Sequence, residues 1–66
     1  MNIFLNGEMQ KIEDGLNITN LIKQLELENK RLAVEVNLDI VPRSQFDSYV
    51  LSTEDKVEIV RAIGGG

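Results

Sequence analysis

The stretch LNITNLIKQLEL, residues 16–27, decides the fold, because it alone in this chain has a helical period. Ile18, Leu21, Ile22 and Leu25 fall at i, i+3, i+4 and i+7, so their side chains share one face of a helix. Asn17 precedes the first of them and is suited to cap the helix, its side-chain oxygen accepting from a free backbone N–H. Leu16 is placed to pack on Leu21 as a hydrophobic staple. The pattern predicts a helix from Ile18 to Leu27.

Working outward, both flanks read as strands. NIFLNGEMQKI (2–12) holds two short extended runs around Asn6-Gly7, a pair that readily takes positive φ at both central positions of a tight hairpin. On the other side, RLAVEVN (31–37) alternates, with Leu32, Val34 and Val36 on one face and Arg31, Ala33 and Glu35 on the other. A short extended piece, IVP (40–42), ends at Pro42, which cannot donate to a ladder and so suits a sheet edge. RSQFDSYVLSTED (43–55) reads as a loop anchored by Phe46 and Val50. KVEIVR (56–61) is the last strand, Val57 and Ile59 pointing inward and Lys56, Glu58 and Val60 outward.

Hairpin, helix, strand, short strand, strand is the order of an α+β domain whose mixed sheet packs one face on one main helix, the β-grasp or ubiquitin-like fold. The expected division is a β-grasp domain over 1–61 and a flexible glycine-rich tail over 62–66. The expected core is Ile3, Leu5, Ile12, Ile18, Leu21, Ile22, Leu25, Val34, Val36, Phe46, Val57 and Ile59. Each such side chain is worth ~2 kcal/mol when buried, so a chain of 66 residues needs nearly all of them and spares few for a catalytic pocket.

Composition narrows the chemistry. With neither cysteine nor histidine the chain offers no thiol nucleophile, imidazole base, disulfide or ordinary zinc site. Eleven acidic residues against seven basic give a net charge of −4, the wrong sign for nucleic acid or an anionic membrane surface. No apolar run approaches the ~20 residues of a membrane span, and the start lacks a signal peptide's pattern, so a cytoplasmic protein is expected. Its serines and threonines lack a base to activate them. A protein without its own catalytic residues or metal site is the expectation.

The chemistry is sought instead in RAIGGG (61–66). Five extended residues beyond Arg61 reach roughly 16 Å, and glycines lack the Cβ that blocks a narrow channel. Such a tail can carry a carboxylate into another protein's active site. A carboxylate is a poor electrophile until it is joined to AMP, which supplies a leaving group. Sulfur, a cysteine thiolate or a lysine amine can then attack the carbonyl. Spacing does not choose among these nucleophiles.

Nearly the whole chain resembles the ThiS family, the sulfur carriers of thiazole formation in thiamine biosynthesis. The resemblance is carried by MNIFLNGE, NITNLIKQL and AVEVNLDIVPRSQFDSYVLSTEDKVEIVRAIGGG, most tellingly by VNLDIVPR ahead of DKVEIVRAIGGG. It implies that Gly66 is adenylated by a ubiquitin-activating-type enzyme using ATP and Mg²⁺, becomes a thiocarboxylate with sulfur from a donor protein, and serves thiazole synthase. No cofactor is then bound by the carrier itself. Gly65 completes the family's Gly-Gly ending, and Gly64 adds a third glycine that loosens the tail. The small subunit of molybdopterin synthase is a related alternative, disfavoured because VRAIGGG lacks a proline. A protein modifier and a plain β-grasp interaction or RNA-binding module are alternatives of other classes.

Other outward residues have roles to be tested. Phe4 and Val60 are expected on the sheet face away from the helix, as a small docking patch for partner enzymes. Ile63 is expected to enter a partner groove, with Ala62 beside it; Arg61 could meet a partner carboxylate, although an exposed arginine at a strand end is usually just solvated. Arg43 reads as a turn-capping cation. Glu54 and Asp55, with Glu58 nearby, read as part of a polar turn leading into a strand rather than as a metal pair.

Overall fold

The computed structural model describes residues 1–61. Five strands and one helix follow in the order β1 (Asn2–Leu5), β2 (Glu8–Lys11), α1 (Ile18–Gln24), β3 (Leu32–Val36), β4 (Asp39–Val41) and β5 (Lys56–Arg61), with a 3-10 turn at Arg43–Gln45. The sheet order is β2-β1-β5-β3-β4. β5 runs parallel to β1 and antiparallel to β3, so the sheet is mixed and α1 covers one face, the β-grasp arrangement.

Asn6 and Gly7 turn the first hairpin with φ of 49° and 85°. Asn37 and Leu38 turn the second, at 52° and 75°. Leucine rarely takes that region, and Leu38 is 87% exposed there. Nothing in its residue type signals a turn, so the Asn37-Leu38 hairpin was legible only through the strands on either side of it.

The helix begins as its sequence dictates and ends sooner. Asn17 is extended (φ −96°, ψ 171°) and its side chain accepts from the Asn20 N–H. The N–H groups of Ile18 and Thr19 find Tyr49 and Phe46 carbonyls, so the loop before β5 completes the cap. At the other end Leu25 is the C-cap and Glu26 turns left-handed (φ 59°). The Glu26 N–H then donates to the Lys23 carbonyl and the Leu27 N–H to that of Ile22, the paired bonds of a Schellman motif. The helix therefore does not reach Leu27, and the expected inward Leu25 is corrected: it is 36% exposed, while Leu27 packs on the core.

The core is otherwise Ile3, Ile12, Leu16, Ile18, Leu21, Ile22, Val34, Val36, Val41, Phe46, Leu51, Val57 and Ile59. Leu5 packs against it half-buried. Phe46 anchors the 43–55 loop as expected, but Val50 is 55% exposed and Leu51 takes the inward place. The cause is a one-residue register: Val50 pairs with Asn17 in an isolated bridge, and the Leu51 N–H donates to the Leu16 carbonyl, turning the next side chain into the core.

Candidate functional site

The 62–66 segment follows the middle strand of the sheet. β5 is that strand, and Arg61, exposed, closes the ladder opposite Leu32. β1 is too short to pair along all of β5: its register ends at Leu5 opposite Val57. Asn6 continues the pairing with its side chain. Its backbone N–H donates to the Val57 carbonyl at 2.8 Å; its side-chain oxygen accepts from the Ile59 N–H at 2.8 Å, and Nδ2 donates to the Ile59 carbonyl at 3.3 Å. The turn residue thus serves as one more rung of the ladder. Sequence reasoning missed this, since a contact across fifty-three residues leaves no local signal.

The entry to β5 is fixed in a similar way. The Asp55 carboxylate accepts from the Ser52 N–H at 2.8 Å and from Asn37 Nδ2 at 3.0 Å, and the Asn37 side chain accepts from the Lys56 N–H at 2.9 Å. Asp55 is therefore occupied in organising the turn, and Glu54 stands at positive φ within it (65°). Among the described residues no group of acidic side chains is arranged to hold a metal ion.

The sheet face away from α1 carries both Phe4 and Val60. They are not neighbours: Phe4 lies opposite Met9 and Lys56, while Val60 lies opposite Ala33. Glu58 stands between them along β5, and Glu35 is directly opposite Glu58. Ile40, 73% exposed, is opposite Glu35 on its other side. Phe4, Gly7, Lys56 and Glu58 frame a shallow hollow of about 190 Å³. The face is thus apolar at several points around a central pair of carboxylates, which repel one another across the strands. The alternation of β3 and β5 gave the facing of each strand, but the register that brings Glu35 onto Glu58 comes from tertiary pairing.

Arg43 is exposed at the 3-10 turn, on the helix side of the sheet beside Phe46. Ala62, Ile63, Gly64, Gly65 and Gly66 lie outside the described residues. No helix among those described is long and apolar enough to cross a membrane.

Comparison with known proteins agrees with this geometry. The model of the ThiS family matches residues 3–66, through the glycines. The sulfur carrier protein ThiS of Bacillus subtilis is 36% identical over 63 residues, covering 94% of this chain and 96% of its own length. A thiazole synthase of Paramagnetospirillum magneticum is 36% identical over 66 residues, and there the chain spans only 20% of the relative's length. The crystal structure of a thiamine biosynthesis protein (ThiS) from Geobacter metallireducens superposes with a TM-score of 0.87 at 30% identity, covering the whole of both chains. A match over the whole described sheet and helix, continued through the glycine segment, means that the chain belongs to the ThiS family.

Proposed function

We propose that this chain is a sulfur carrier for thiazole formation in thiamine biosynthesis, acting as a protein cosubstrate of other enzymes. The Gly66 carboxylate attacks the α-phosphorus of ATP on a ubiquitin-activating-type enzyme that supplies Mg²⁺, and pyrophosphate leaves. Hydrosulfide supplied by a donor protein adds to the acyl-adenylate carbonyl and expels AMP, leaving a thiocarboxylate and a proton. Thiazole synthase then takes the sulfur. All of this takes place in the cytoplasm.

The observation that carries the reading is the position of Arg61. It ends a mid-sheet strand that is paired to β3 up to its last residue and clasped by Asn6, so the glycine segment starts from a fixed base. A firm base limits the conformational entropy lost when a partner threads only the segment beyond it. The apolar points around Glu35 and Glu58 favour a partner surface that is apolar with a cation at its centre. The Paramagnetospirillum relative favours thiazole synthase as the acceptor, since joining a carrier-like stretch to its acceptor in one chain raises their effective concentration.

Intact-mass measurement after incubation with ATP, Mg²⁺, an adenylating enzyme and a sulfur donor tests this. One terminal oxygen should be replaced by sulfur, and the product should serve thiazole synthase rather than the molybdopterin enzyme. Deleting Gly66 should abolish loading and leave the unfolding midpoint unchanged. An unaltered mass with an active adenylating enzyme would sink the proposal.

A further inference from the structure

A cleft lies on the helix side of the sheet, on the face away from Phe4 and Val60. Leu27, folded inward by the Schellman turn, joins Ile22, Leu32 and Phe46 as its floor, and its volume is about 130 Å³. Around its rim stand Lys23 from the last turn of α1, Lys30 from the connection to β3, and Arg43. In a chain with net charge −4, three of the seven basic residues converge on this one cleft, against a single lining carboxylate, Glu28. All three are exposed, and no described carboxylate forms an ion pair with any of them.

Size and charge together define the occupant. The cleft is well below the ~300–1,000 Å³ of a pocket for a cofactor or drug-sized ligand, and matches a single apolar side chain. Cations around an apolar floor favour carboxylates flanking that side chain. We infer that this cleft docks an acidic segment of a partner protein, inserting one large apolar residue between Ile22, Leu27, Leu32 and Phe46 while its carboxylates meet Lys23, Lys30 and Arg43. The site goes beyond the carrier reading and does not depend on it. It would let a partner hold the chain from the helix side while the opposite sheet face stays open to another.

The test is an amide-resolved NMR titration of the full chain with the capped peptide Ac-Glu-Asp-Leu-Phe-Asp-Glu-NH₂. Saturable shifts should centre on Ile22, Leu27, Leu32 and Phe46, and weaken as salt rises. Replacing the Leu-Phe pair of the peptide by Ala-Ala should abolish them. The double variant K23E/R43E, altered only at exposed positions, should bind about ten-fold more weakly, while its spectrum reports an intact fold. Equal binding of the Ala-Ala peptide would mean that the cleft attracts any anion and would overturn the inference. So would shifts confined to the Phe4 and Val60 face, no saturable shift at all, or nuclear Overhauser contacts in the free chain placing Ile63 against Phe46, which would make the chain's own terminus the occupant. Sulfur loading is read separately, by mass.

Discussion

Asn6 holds both backbone groups of Ile59 with one side-chain amide, joining the first turn of the chain to its last strand. Among the described residues the Ile59 N–H meets no other acceptor on that side of β5, because β1 has already ended at Leu5. Asn6→Ala should therefore cost about 1–3 kcal/mol, the price of stranding a part-buried donor. Asn6→Asp keeps the acceptor for the Ile59 N–H but sets a carboxylate oxygen against the Ile59 carbonyl where the donor was, so it should recover only part of the loss seen with alanine. Urea unfolding gives the ranking, and hydrogen exchange at Ile59 gives its location. Equal stability of all three proteins would show that the clasp contributes nothing.

A second prediction concerns the helix end. Glu26 occupies the left-handed position that glycine fills at lowest cost. Glu26→Gly should raise stability by about 0.5–1 kcal/mol, seen as a higher Tm, whereas Glu26→Ala should not. A gain from alanine equal to that from glycine would assign the effect to removal of charge rather than to backbone conformation.

The sequence of elements along the chain and the helix position were legible because each rests on a local period: alternation at Leu32, Val34 and Val36, and the i, i+3, i+4 set at Ile18, Leu21 and Ile22. The misreadings fall where a backbone hydrogen bond outside the helical and strand periods sets the direction of a side chain. Leu25 continues the helical period perfectly well, yet the Schellman bonds end the helix beneath it. Val50 and Leu51 are adjacent and both apolar, so only the pairing of the loop with Asn17 and Leu16 decides between them. Of the candidate site, the facing of Phe4 and Val60 was readable from alternation. The Asn6 clasp and the opposition of Glu35 and Glu58 were not, since both depend on register between distant strands.

The register of that loop makes a third prediction. Leu51 is 3% exposed and Val50 is 55% exposed. Leu51→Ala should cost about 2–5 kcal/mol through lost burial and the cavity left behind. Val50→Ala should change stability by no more than about 0.5 kcal/mol. Chemical denaturation of the two variants decides it, and similar losses would contradict the corrected core.

The carboxylates at the centre of the exposed sheet face give the last prediction, in which stability and function move in opposite directions. Glu58 faces Glu35 across the β3–β5 ladder, an arrangement that costs the isolated protein a few tenths of a kcal/mol. Glu58→Lys converts the repulsion into attraction and should raise stability by about 0.5 kcal/mol in low salt, the gain fading as salt rises. On the proposed function the same change puts a cation where the partner's cation docks. The KM of the adenylating enzyme for the carrier should then rise about ten-fold while its kcat changes little, since Gly66 is untouched. Glu58→Gln relieves the repulsion without introducing a positive charge, so its KM should lie between the two. A carrier made more stable by lysine and adenylated with unchanged KM would separate this face from the docking surface.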